Sequence, residues 1–485
     1  MPLARIFLRL ATALLLTGLV TSTHASELPA AFIDALKQAS IPLDHVAVVI
    51  QPLDAPVDSP EPLLAHNAEA AMNPASVMKL VTSYVALHQL GPRFTWATDV
   101  WADGPIQDGV LDGDLIIKGH GDPTLTLERM WLLQRALRAR GIRHMHGDLV
   151  LDMSHFNLPA LDPGAFDGEP LAPYNTPPAA LVANFNVTTL RLKPAGDRLE
   201  IVPDIALPGV SIRSEVALTQ STACNSWKDA LTPSIPDPAR RELLLSGTYS
   251  RRCGEQTLSL NLFDPAETFG FIFRDLWQQS GGTLSGQTMP GMAPETVPLL
   301  RFESTPLSDA LIGLNKNSNN LMARNLFLTL GAASFGAPAS PDKADRATRA
   351  VLIKQKLPVT KLVLENGAGL SRIERVSAQL LSELLRAAYR SPLFSEFEST
   401  LPIVALDGTL KRRFNGSTLS GNAHLKTGTL RDVSALAGYV YTASGRRVAF
   451  VMLVNHANAR RANAAQQALL EWVWADVPKP PVGTQ

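Results

Sequence analysis

Apolar, strand-like runs stand near both ends of this 485-residue chain, and that placement restricts its fold more than any other feature. Near the start, residues 46–51 and 63–66 read as two strands. Near the end, residues 425–429 read as a third, and 435–442 with 447–455 as a hairpin turned at Ser444-Gly445. Helical patterns fill much of the space between. Residues 76–90 place Val77, Leu80, Val81, Tyr84, Val85 and His88 on one face, with Pro74 just ahead at a usual entry position. After Pro265, residues 266–280, 307–314, 319–330, 343–355, 378–390 and 460–474 all read as helices. One α/β domain contributed by both ends of the chain accounts for this order.

A different pattern occupies the middle. From Phe94 to Leu262 strand-like runs such as 109–118 and 149–151 alternate with turns, interrupted by one helix at 127–140. Pro and Gly are dense between 159 and 178. A chain of this length normally divides into two to four domains. The expected layout is a first part of the main domain at 26–95, inserted mostly-β material at 96–264 with a nested subdomain at 184–262, and the second part at 265–477. The Pro-rich tail 478–485 is expected to be disordered.

Residues 1–25 read as a secretory signal peptide. Arg5 and Arg9 precede a short apolar run at 10–20, and Thr23-His24-Ala25 is a small-residue cleavage pattern. The run is shorter than the ~20 residues a membrane span needs, which weighs against an anchor. Export to the periplasm makes a disulfide between Cys224 and Cys253, the only two cysteines, the expected pairing. The formal net charge is zero, so nothing electrostatic argues for nucleic acid or an anionic membrane as partner. Trp472 and Trp474 read as packing by the last helix, with weak membrane association as the alternative. His144-Met145-His146 has metal-like spacing but no supporting acid or His cluster, so no metal and no cofactor is expected.

Three short motifs carry the chemistry. Ser76-Val77-Met78-Lys79 places a serine at a helix start, where the positive end of the helix favours a developing alkoxide, and a lysine one turn later on the same face. Such a lysine becomes a base only if burial or a neighbouring cation lowers its pKa. Ser318-Asn319-Asn320 opens a second helix; Ser318 can relay a proton to a leaving group and Asn320 can hold an amide carbonyl. Lys426-Thr427-Gly428-Thr429 lies on a strand, where Lys426 and Thr427 can bind a carboxylate and Gly428 lets backbone approach closely. The N–H groups of Ser76 and Thr429 can then form an oxyanion hole. Each motif alone is weak; their order, each on the element its chemistry needs, is not.

The trio resembles that of the penicillin-binding proteins and β-lactamases. Ser76 and Ser318 are 242 residues apart, far more than in a compact β-lactamase, and this resembles the low-molecular-mass class C penicillin-binding proteins of the penicillin-binding protein 4 type. Other stretches look like that family too: 119–125, 174–179, 366–372, and 401–402 through 407–410. The resemblance implies a β-lactamase-like α/β fold, with an antiparallel sheet flanked by helices and interrupted by mostly-β insertions. It implies D-Ala-D-Ala carboxypeptidase or endopeptidase activity on peptidoglycan peptides, and inhibition by β-lactams. It also implies that Asp152 faces the amino group of the peptide's diamino acid and that Arg372 stands beside the cleft; a turn-capping aspartate and a surface arginine are the plain alternatives. The chain departs from the family at Glu365-Asn366-Gly367-Ala368-Gly369, where Asp-Gly-Ser-Gly is frequent, and at Arg431, where some members have Gln. Rival functions are a β-lactamase or esterase on the same fold and an inactive peptidoglycan-binding module. No Glu-x-x-x-Asn pattern supports a water-activating glutamate, and a binding module needs no serine–lysine pair.

Overall fold

The computed structural model describes residues 27–54, 62–237 and 241–475, so the expected signal peptide and the expected disordered tail lie outside the described residues. Strands from the two chain ends form one antiparallel sheet. Its order is Ala423–Thr429, Val433–Tyr441, Arg447–Asn455, Val46–Pro52, Leu64–His66. Val46 pairs with Val454 and Ile50 with Phe450, so the first long strand is held by the last.

The sheet is buried on both faces, and alternate residues serve different cores. Ala47, Val49, Ala449, Val451 and Leu453 face one core, built with helices Met78–Leu90, Leu307–Lys316, Asn320–Phe335 and Ala378–Arg390. Val46, Val48, Ile50, Phe450 and Met452 face the other, with helices Ala30–Gln38 and Asn463–Trp474. This explains why the strands read as continuous apolar runs. Trp472 and Trp474 are partly buried against that second core, as packing residues.

The inserted region has its own mixed five-stranded sheet, ordered Thr288–Pro290, Leu149–Asp152, Asp114–Gly119, Ala97–Asp103, Leu300–Glu303. The expected boundary at 264 therefore moves. Helix Pro265–Gln279 puts Phe269, Ile272, Phe273 and Trp277 into the inserted core beside Leu115, Ile117 and Leu149, and Leu300 joins them. Its amphipathic pattern announces a helix but not which core receives the apolar face. Within the insertion, Thr188–Ala195 through Gln256–Leu260 form two three-stranded sheets around a separate small core that includes Leu190, Leu192, Leu245 and Tyr249. A Cys224–Cys253 disulfide closes this subdomain.

Candidate active site

Ser76 sits in a single 3-10 turn, Ala75–Val77, that runs directly into helix Met78–Leu90, rather than in the α-helix itself. Ala75 is held at φ +45°, a left-handed conformation that disfavours a side chain and costs on the order of 1–3 kcal/mol. Three contacts hold the turn. Asn73 Oδ1 accepts from the Ala75 N–H at 2.8 Å, and Asn73 is in turn tied to Asn455 and to the Ser371 carbonyl. Gly369, at φ +79°, and Gly428 press against the turn so closely that a Cβ on either would run into the Ala75 or Pro74 carbonyl. The strand bearing Thr427 to Thr429 is thereby seated against the serine.

Lys79 lies fully buried behind Ser76, which is itself half-buried. Its Nζ is 2.9 Å from Ser76 Oγ, 2.7 Å from Asn320 Oδ1 and 2.5 Å from the Ala368 carbonyl oxygen. The Asn320 amide is oriented unambiguously, because its Nδ2 donates to the Tyr174 carbonyl at 2.9 Å. Two of the three lysine partners are therefore obligatory acceptors, and only the hydroxyl can also donate. A neutral amine satisfies this set completely: two N–H groups to the carbonyls and a lone pair toward Ser76 O–H. Burial, reinforced by the like charge of Lys426, holds the Lys79 pKa well below its usual value.

Ser318 reaches the same place from the turn before helix Asn320–Phe335, at φ +55°, while Asn319 caps that helix through Met322 N–H. Lys426 is also fully buried; its Nζ donates to Ser318 Oγ and to the Thr427 carbonyl, each at 2.8 Å. Burial lowers its pKa to about 7. Thr427 Oγ1 is 2.8 Å from Thr409 Oγ1, and Thr429 is exposed at the strand end. The structure thus brings together Ser76, Lys79, Ser318, Asn320, Lys426, Thr427, Gly428 and Thr429. Two half-buried serines are each backed by a buried amine of depressed pKa.

Arg372 stands at the rim, its guanidinium 4.3 Å from the Phe166 ring and 3.4 Å from Asp432, which follows the Lys426 strand. It borders a cavity of about 470 Å³ walled by Phe166, Phe327, Leu370 and Arg324. Asp152 does not join this group. It is fully buried at the end of its strand: Oδ1 accepts from Ser154 N–H, Oδ2 accepts from Ala293 N–H and lies 3.1 Å from Lys118 Nζ. What reaches solvent there is the partly exposed lysine, not the carboxylate. The inserted segment that meets the cleft is instead 166–176: Phe166 stacks on Arg372, Tyr174 and Thr176 offer carbonyls to Asn320 and Arg324, and Asp167 accepts from Tyr174 O–H at 2.9 Å.

Several participants escape sequence reasoning. The Ala368 and Tyr174 carbonyls are backbone groups and leave no mark in residue identity. Thr409 and Tyr174 lie inside stretches already noted as family-like, which was their only signal. His144 and His146 are partnered by Thr283 and Asp112, and among the described residues no group of three potential ligands could hold a metal. No helix of the described residues is long and apolar enough to cross a membrane.

Comparison with known proteins places the chain in a family. The chain is 29% identical to a D-alanyl-D-alanine carboxypeptidase of Haemophilus influenzae, covering 80% of this chain and 82% of that protein. It is 29% identical to one of Actinomadura sp., covering 84% and 78%. The crystal structure of penicillin binding protein 4 from Haemophilus influenzae superimposes with a TM-score of 0.75 at 26% identity, covering 91% of this chain and 99% of that one. Its β-lactam complex does so with 0.72 at 25%. The model of one serine peptidase family matches residues 29–475, nearly the whole described chain, and the protein belongs to that family, the D-Ala-D-Ala carboxypeptidase 3 (S13) family.

Proposed function

We propose that this enzyme is a periplasmic D,D-peptidase in which Ser76 is the nucleophile and Lys79 its base. Neutral Lys79 takes the Ser76 hydroxyl proton as Oγ attacks the carbonyl of the penultimate D-Ala. The Ser76 and Thr429 N–H groups receive the oxyanion. Lys426, through Ser318, passes a proton to the departing amine, and Asn320 and Thr427 hold the substrate's amide and terminal carboxylate. The C–N bond breaks, an ester to Ser76 remains, and water resolves it. A β-lactam enters by the same attack and stays as an ester.

The observation that carries the reading is the Lys79 environment: a fully buried amine with two fixed carbonyl partners and its third position on Ser76 Oγ. No carboxylate is among those partners. A penicilloyl ester is therefore expected to persist for minutes, while muropeptides ending in D-Ala-D-Ala, or cross-linked through D-Ala, are cut. The test is covalent labelling of the Ser76→Ala variant by a fluorescent penicillin, with circular dichroism to confirm folding. Labelling must vanish; label found on a peptide without residue 76 refutes the assignment.

A further inference from the structure

The segment 365–376 carries a buried acid that the acylation chemistry leaves unused. Glu374 is fully buried. Its Oε1 accepts three backbone N–H groups, from Glu365 at 3.1 Å and from Asn366 and Gly367 at 2.9 Å each. Its Oε2 is buried without a hydrogen-bond partner. Three donors converging on one oxygen pin the start of the loop. The loop then turns on Asn366, whose Oδ1 accepts from Ala368 N–H and whose Nδ2 donates to the Leu370 carbonyl.

Three successive residues of that loop, Gly367 to Gly369, meet the nucleophile's support. The Gly367 carbonyl accepts from Thr82 Oγ1, one turn beyond Lys79. The Ala368 carbonyl accepts from Lys79 itself. Gly369 presses on the Ala75–Ser76 peptide. The charges that face Lys79 are Lys426 from the sheet, Arg324 from helix Asn320–Phe335, and Glu374. Two are cations and one is an acid, so Glu374 alone favours the ammonium. Burial pushes the Glu374 pKa above its usual value, against the three N–H bonds that favour the carboxylate; Glu374 in turn faces the acid Glu365 and the largely buried Arg324.

We propose that Glu374 is the positioning residue for Lys79: it anchors the loop that presents the Ala368 carbonyl, and it is the buried counter-charge against which Lys79 releases its proton. This rests on the Ser76/Lys79 reading above. Two consequences separate geometry from charge. Glu374→Gln retains an acceptor for the three N–H groups and removes the charge. Glu374→Ala removes both.

The experiment is the rate of Ser76 acylation by a fluorescent penicillin from pH 5 to pH 10, with intact mass to count adducts. In wild type the rate rises as Lys79 loses its proton. Removing an anion destabilises the ammonium, so E374Q is expected to move that acid limb to lower pH by about half a unit or more. E374A is expected to lose about tenfold or more at the plateau, since a loosened loop misplaces the base. An E374Q limb that superimposes on wild type, or moves up, overturns the counter-charge. An E374A plateau equal to wild type overturns the anchor. If E374A does not fold, the E374Q profile decides. Failure of the underlying reading shows up differently, as labelling that survives in Ser76→Ala.

Discussion

The lysines of the Ser76 domain and two buried acids of the inserted region, Asp99 and Asp152, sit among opposite kinds of partner. In the inserted region, Asp99 meets Arg301 through two bonds of 2.7 Å and His120 at 3.0 Å, and Asp152 meets Lys118. Each acid has its cation in direct contact, and the charges are permanent parts of the architecture. In the Ser76 domain, Lys79 and Lys426 are just as fully buried, yet their bonded partners are hydroxyls and carbonyls. A buried ammonium without a paired carboxylate is driven toward the neutral amine. The proposed base, Lys79, is thus a buried amine from which the paired carboxylate is withheld.

Lys79→Met tests the comparison most severely. It keeps the side chain's length and apolar burial but removes the amine. Penicillin acylation is expected to fall by about 10³-fold or more, with thermal stability kept or raised, because folding no longer strips a proton from Lys79, which offsets the two carbonyls left unpaired. A variant that acylates within tenfold of wild type would move the base elsewhere.

Asp152→Asn removes the charge from the opposite kind of site. Lys118 is left without its partner and one backbone N–H loses its acceptor, for an expected loss of about 1–3 kcal/mol in urea unfolding. Penicillin acylation should stay within about threefold. Burial alone would raise the Asp152 pKa, but bonds from Ser154, Ala293 and Lys118 outweigh it and hold it below the usual range. Its folded pKa thus lies under its unfolded value of about 3.9, so the stabilisation is full above that pH and fades as pH falls through the folded value. The gap between wild type and D152N should therefore close in acid. If stability is unchanged while cleavage of diamino-acid peptides alone declines, Asp152 reads substrate after all.

The smallest effect on chemistry is expected from the Cys224→Ser, Cys253→Ser double variant. Opening a loop of 29 residues costs roughly 3 kcal/mol in the entropic account. That loss should be confined to the nested subdomain, read by proteolysis between 188 and 260, with acylation rate unaltered. A fall in acylation would join the two regions that the comparison separates.

The three motifs were legible because each couples a side-chain type to an element whose period is also legible. Serine at a helix start, lysine one turn on, and a strand with Gly428 are local facts. The strands of the main sheet were legible as apolar runs, while the burial of both faces appears only in the structure. Other features are set by tertiary contact alone. Nothing in the sequence around Asp152 tells that Lys118, from the neighbouring strand, occupies it. Helix Pro265–Gln279 shows its amphipathicity but not its destination. The positive φ of Ala75 and Ser318 belongs to residues with no left-handed preference, so it is imposed by the packing of Gly369 and Gly428 and by the close of the preceding helix. Glu374 gives no periodic or motif signal at all.

The pairing of Val46 with Val454 has a consequence for how the molecule is made. Strand Val46–Pro52 emerges early in synthesis and has only the three-residue strand Leu64–His66 to lie against until the final hairpin exists. Closing a span of about 400 residues is more costly than closing a tenth of it by about 2 kcal/mol of chain entropy. The inserted region has cores of its own and pairs residues 97–100 with 300–303, so its collapse would draw the flanking segments together and offset part of this cost. Ser76, the proposed nucleophile, thus waits for residues 423–455 to arrive. A chain halted anywhere before them holds a serine and a lysine but no enzyme.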